Sequence, residues 1–201
     1  MPAVRIADLG AKVLLVALLL VALAFPDLSG MKARGAGARL VVYPLGVLAV
    51  PVWWYLWRRP RGLPFPWVAD LLVTSPWAID LLGNRLNLFD TVGWWDDLMH
   101  VVNWLLLTAG VVVAWRPGPR TGGGTVVMVA LGFGTTAALI WELGEYVWFI
   151  RQWPDPNIVY RDTLGDLTLG TLGALLAGVL IARVRRRARA GKGETGPGAV
   201  G

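Results

Sequence analysis

The sequence predicts an all-α fold: a polytopic membrane helix bundle of about six transmembrane helices, with both termini cytoplasmic. Three observations carry that expectation. Of 201 residues, 56% are hydrophobic and 16% charged, whereas a soluble domain carries about 25% charged residues. The apolar residues are gathered in blocks long enough to cross a bilayer. Trp and Tyr collect near block ends, at Trp53, Trp54, Trp57, Trp94, Trp95, Trp115, Trp153 and Tyr160, as an interfacial aromatic belt requires. Collagen-like, disulfide-scaffold and disordered classes are excluded by the same composition. The lack of Cys also removes disulfides, zinc fingers and thiol nucleophiles.

The first block, residues 10–25, is a continuous apolar run. Ala22-Leu23-Ala24 resembles a signal-peptide cleavage site, but the charged start is thin and Pro26 sits beside the cut. An uncleaved first helix is therefore expected. The second block covers 40–57. The third, 67–82, is the least apolar because it holds Asp70, Pro76 and Asp80. The fourth covers 95–115, the fifth 126–150 and the sixth 162–184. Gly- and Pro-bearing connections separate them, and the run Gly122-Gly123-Gly124 reads as a flexible turn with no phosphate-loop context. The bundle is expected over 1–184, followed by a basic, disordered cytoplasmic tail over 185–201.

The net charge of +6 marks orientation more than nucleic-acid binding. Six of the nineteen basic residues lie between Arg183 and Lys192, directly after an apolar block. There Lys and Arg fix topology and meet anionic lipid headgroups. With the N-terminus inside, thirteen Lys and Arg fall on the cytoplasmic side and six on the other. Membrane lipid is thus an expected partner and nucleic acid is not.

Charged residues at bilayer depth cost roughly 2.5–3.5 kcal/mol each near a helix centre, so they need a partner or a task. Three clusters stand out: Asp96, Asp97 and His100 open the fourth block, Glu142 and Glu145 lie late in the fifth, and Asp162 and Asp166 open the sixth. Spacings of three and four residues put the members of each cluster on one helix face. The fourth block starts, the fifth ends and the sixth starts on the same side of the membrane, whichever way the protein is inserted. All three clusters then share one depth, and Asp80 and Asn84 fall at the same level. In the sixth block Asp162, Asp166, Gly170, Ala174, Gly178 and Ala182 recur every four residues. Small residues at that interval let helices approach closely, so the carboxylates should point into a bundle. The Gly170/Ala174/Gly178 face is also a candidate contact for a second copy.

Carboxylates with one imidazole can hold a divalent ion, Zn, Mn, Fe, Mg or Ca. A cation would relieve their mutual repulsion where only Arg85, Arg151 and Arg161 are near in sequence. The same residues could instead form a buried polar network, or a proton or ion pathway. There is no His-Glu-x-x-His, no Glu-x-x-His and no Gly-x-Ser-x-Gly.

The strings Asp-Asp-Leu-Met-His (96–100), Trp-Glu-Leu-Gly-Glu (141–145) and Asp-Thr-Leu-Gly-Asp-Leu (162–167), followed by Thr-Leu-Gly-Ala-Leu-Leu (171–176), resemble the YjdF-type bacterial inner-membrane proteins. That family is similar in turn to the broader VanZ-like group. The resemblance runs from about 80 to 178. It implies a multi-pass protein of the cell inner or plasma membrane, with Asp97, His100, Glu142, Glu145, Asp162 and Asp166 as functional residues. It implies no particular reaction.

The expected function is a metal-binding membrane protein, with Asp97, His100, Glu142, Glu145, Asp162 and Asp166 as the ligand pool. Whether it is an enzyme stays open. If catalytic, it would hydrolyse or transfer a group on a lipid-linked or envelope substrate, with Glu142 or Glu145 as general base. Arg151 or Arg161 would hold the anionic headgroup. The alternatives are a proton- or cation-coupled transporter and a membrane scaffold or assembly protein.

Overall fold

In hydrocarbon every backbone N–H and C=O must be paired within its own segment, so long apolar stretches become helices. The computed structural model describes residues 2–25, 36–148, 151 and 155–193, and among these there is no strand. α1 covers Pro2–Ala24 and α2 covers Ala36–Trp53, prolonged by a π-helical turn at Trp54–Arg58 and a 3-10 turn at Arg59–Arg61. α3 covers Trp67–Arg85, the single-turn α4 Leu88–Thr91, α5 Trp95–Trp115, α6 Gly123–Trp148 and α7 Pro156–Gly193. Five helices are long and apolar enough to cross a membrane: α1, α2 with its extension, α5, α6 and α7. α3 falls outside that group because of its polar residues. Asp70, Thr74 and Asn84 are buried among neighbouring helices.

α3 joins two halves of the bundle. On one side it packs against α1 and α2 through Leu15, Ala22, Tyr43, Val47, Ala78 and Leu81. Gly46 on α2 is the point of closest approach, since a Cβ there would strike the Trp77 indole. Trp77 lies 5.0 Å from the Tyr43 ring and 6.0 Å from the Trp141 ring of α6. On the other side α3 meets α5, where Gly110 sits against Ala69 and Val73, and where Gly83 makes room for Trp95 and Phe89.

α5, α6 and α7 form the second half. α6 and α7 are antiparallel, with Ala130 against Gly178, Gly134 against Ala174 and Ala138 against Gly170. A Cβ on Gly134 would collide with that of Ala174, and one on Gly178 would lie 2.9 Å from that of Ala130, so even a methyl at these glycines would push the helices apart. α5 and α7 run in the same direction and touch almost backbone to backbone. A Cβ on Gly173 would collide with the Val101 carbonyl and lie 3.0 Å from the Leu105 nitrogen, and one on Gly170 would lie 2.7 Å from Trp104.

Three sequence expectations change here. The Gly170/Ala174/Gly178 face, a candidate for contact with a second copy, is already occupied by α5 and α6: Ala174 is fully buried, and Gly170 and Gly178 face Trp104 and Ala130. The helix expected to stop near 184 continues to Gly193. Arg185 holds it to the α5–α6 turn, donating to the carbonyls of Pro117 (2.7 Å) and Gly118 (2.8 Å), and Arg189 donates to Thr121 (3.1 Å). Residues 194–201 of the expected tail lie outside the described residues. Finally, α1 begins at Pro2 and not near residue 10, so Asp8 lies within the helix.

Candidate functional site

The α5–α7 contact carries the site. Val101 is locked against Gly173, and one residue earlier His100 faces Asp166 across the same interface: His100 Nε2 is 3.3 Å from Asp166 Oδ1. One helical turn back on α5, Asp96 Oδ1 lies 3.9 Å from the same nitrogen. These three residues offer ligand atoms within 4.8 Å of one another. Asp166 is buried, while the Asp96 side chain is 49% exposed. The group therefore opens toward the end of the bundle. Asp97, three residues before His100, lies on the other flank of this face; it is exposed and outside the three-residue group, though it acts electrostatically on His100.

α6 supplies a second carboxylate. The register that pairs Ala138 with Gly170 brings Glu142 to the level of Asp166, and the two interact electrostatically. Glu142 is 5% exposed and its Oε2 has no hydrogen-bond partner. On α5, His100 Nδ1 and Asn103 Oδ1 are likewise enclosed without a hydrogen-bond partner, as are Thr74 Oγ1 and Thr108 Oγ1 deeper in the bundle. Asp162 is exposed at the mouth and acts electrostatically on both His100 and Glu142. Glu145 is half-buried and interacts with Glu142, Asp96, Asp80 and Arg39. Arg151 and Arg161 are exposed.

Ligand atoms about 2.1 Å from a tetrahedral ion lie about 3.4 Å apart. The 3.3 Å between His100 Nε2 and Asp166 Oδ1 fits one edge of such a shell. Asp96 Oδ1, 3.9 Å from the same nitrogen, is the third donor of the group. The donor set, one imidazole with oxygens, suits Zn, Mn or Fe.

Sequence reasoning missed two groups. Arg39 of α2 was an orientation charge in the sequence, yet its side chain is only 11% exposed and its Nε donates to Asp80 (3.3 Å) and to the Tyr43 hydroxyl (2.9 Å). Tyr43 in turn donates to Asp80, and Asn84 donates to the same carboxylate at 3.2 Å. The signal was available: Arg39 and Tyr43, like Asp80 and Asn84, are four apart and face each other at one depth. Asp8 was the other omission. Lys12 Nζ lies 2.6 Å from both Asp8 Oδ1 and Asp70 Oδ2, and both carboxylates are fully or almost fully buried between α1 and α3. This triad sits at the opposite end of the bundle from His100.

A helical, multi-pass membrane protein with an acidic–imidazole group between its fourth and last long helices is the class that this fold and site define. Over residues 11–187 the chain matches the family described as "Predicted membrane protein (DUF2238)", and it belongs to that family. This agrees with the YjdF-type resemblance; the wider VanZ-like likeness gains no support. No curated protein and no solved structure matches the chain.

Proposed function

We propose that Asp96, His100 and Asp166 hold a divalent metal ion, with Glu142 beside them, and that this centre acts on a lipid-linked or envelope substrate by hydrolysis or group transfer. The single observation behind this reading is the 4.8 Å grouping of three ligand atoms from Asp96, His100 and Asp166. Asp97, Asp162 and Glu145 complete the acidic pool around it. A bound ion would polarise a phosphoryl or carbonyl oxygen and activate water. Glu142 or Glu145 would take the proton from that water as general base. Arg151 and Arg161, exposed at the same end, are the cations that would meet an anionic headgroup.

The test is metal analysis of protein purified in mild detergent, with the variants His100→Ala and Glu142→Gln. Stoichiometric metal in the parent, lost in His100→Ala with the helical signal and monodispersity intact, supports the centre. Metal-free protein whose variants merely unfold would make the cluster a structural network, the scaffold reading.

The topology belongs to the same proposal. α3 is the sixth crossing, since its 19 residues give about 28 Å of helix, and both termini are cytoplasmic. Lys12 and Arg39 are neutralised by carboxylates inside the bundle. Setting them aside leaves twelve Lys and Arg inside against five outside, so the bias holds. Because the chain has no Cys, single Cys residues introduced at 62 and 87 report the side of each loop to an impermeant maleimide. Labelling of both from one side would remove α3 as a crossing.

One observation favours a second reading, a proton- or cation-coupled transporter. The Asp8–Lys12–Asp70 triad gives the opposite end of the bundle its own buried acidic group. Uptake of protons or cations into liposomes by metal-free protein, abolished in Asp70→Asn, would establish it.

A further inference from the structure

The end of the bundle opposite His100 holds a cavity that the proposed centre does not use. It has a volume of about 450 Å³ and lies between the start of α6 and the end of α7, lined by Thr121, Gly123, Val127, Val179 and Ala182 and by Arg183, Arg185, Arg186 and Arg189. From this geometry we infer that the cavity binds the phosphate group of an anionic phospholipid.

Charge comes first. Four guanidinium groups line one small cavity and no acidic side chain does. Among the described residues, the acidic side chains at this end of the bundle are Asp8 and Asp70, and both are held by Lys12. A guanidinium is a planar fork that matches phosphate oxygens two at a time, which makes Arg the favoured residue for such a group.

The four arginines divide into two pairs. Arg185 and Arg189 are committed to the carbonyls of Pro117, Gly118 and Thr121, so they fix the wall of the cavity. Arg183 and Arg186 are exposed and make no hydrogen bond or ion pair with the described residues. Three apart on α7, they lie on one helix face. Gly123 begins α6 and stands against Ala182 of α7, where even a Cβ would make only ordinary contact at 3.5 Å. The first-turn N–H groups of α6 add donors on the same side.

Depth identifies the source of the phosphate. The stretch 162–182 of α7 spans about 31 Å, the thickness of a hydrocarbon core. Arg183 and the arginines after it therefore stand at the level of lipid headgroups. The apolar part of the lining, Val127 and Val179, continues down toward the acyl chains. A headgroup with its chains attached fits this mixed lining better than a free ion does.

The experiment uses the full chain in a neutral detergent and measures retained lipid by native mass spectrometry and by titration with fluorescent phosphatidylglycerol. Phosphatidylcholine is the neutral-lipid arm and inorganic phosphate the soluble-ion arm. The double variant Arg183→Gln/Arg186→Gln is compared with Arg59→Gln/Arg120→Gln, which removes the same charge elsewhere. The expected result is one tightly retained phosphatidylglycerol and at least about a tenfold weaker affinity in the first variant, with little change in the second. Equal loss in both variants would reduce the effect to general surface charge and overturn the site. Equal binding of phosphatidylcholine would overturn it as well. Inorganic phosphate bound with no preference for phosphatidylglycerol would overturn the lipid as its source.

Discussion

Gly173 of α7 lies against the carbonyl of Val101 on α5 so closely that no side chain fits between them. His100 is the residue before Val101, and its imidazole meets Asp166 at 3.3 Å. The distance between two backbones thus sets the distance between two candidate ligands. Helix contacts in lipid depend on such close approaches, because no hydrophobic force drives two apolar helices together there.

Gly173→Ala should therefore damage both stability and site. The collision is with backbone, which cannot rotate away, so a cost of about 1–3 kcal/mol is expected, together with weaker metal binding. Gly132→Ala is the control: nothing lies within 4 Å of its would-be Cβ, and in mid-helix the change should be neutral or stabilising by up to about 1 kcal/mol. Thermal unfolding in detergent, read alongside metal content, checks both.

Asp96 and Asp97 should separate cleanly. Asp96 belongs to the His100 group and Asp97 is exposed outside it. Asp97→Asn is expected to retain metal as the parent does. Asp166→Asn should weaken binding by at least about tenfold, the scale at which even supporting residues of metal sites act. Titration of metal-stripped protein with Zn or Mn measures this; equal losses in Asp97→Asn and Asp166→Asn would place the ion elsewhere.

Lys12→Met should be more harmful than loss of the whole triad. It leaves Asp8 and Asp70 buried with no cation, a situation that costs about 3–5 kcal/mol. The triple variant Asp8→Asn/Lys12→Met/Asp70→Asn carries no net buried charge and should recover most of that loss. Denaturation of the three proteins in the same detergent decides it.

Arg39 and Asp80 should be coupled. Each has few other partners at its depth, and they share Tyr43. A double-mutant cycle with Arg39→Gln and Asp80→Asn is expected to return about 0.5–3 kcal/mol of interaction energy. A value near zero would mean that the pair is not formed in the folded protein.

Much of the architecture is legible in the residues because the solvent is a membrane. Blocks at 95–115 and 67–82 coincide closely with α5 and α3, since a bilayer imposes both length and composition. The common depth of the acidic clusters follows from alternation alone. The four-residue row through Gly170, Ala174 and Gly178 is legible as a packing face, but its partner is not: spacing identifies a small surface without saying whether a neighbouring helix or a second copy fills it.

The ends of the helices were harder to read. Charge near Arg185 looks like a solvated tail, and Asp8 precedes the first apolar block, because local composition does not reveal which groups other helices enclose. Asp8 is instead satisfied by Lys12 inside α1, and Arg185 by Pro117 and Gly118 across the bundle. Arg39 was hidden in the same way, its partner Asp80 being on another helix.

By itself the sequence determined the membrane as solvent, the long apolar helices and the one level to which His100, Glu142 and Asp166 rise. Hydrophobic length and the 3.6-residue period are local properties, so the chain displays them openly. Only the tertiary structure decided that Asp96 and not Asp97 turns toward His100, that Arg39 enters the bundle and Arg161 stays outside, and that α7 closes against α6. Those outcomes depend on the rotation and register of helices against one another. Register is set by contacts such as Gly173 on Val101, between residues that the linear chain keeps far apart.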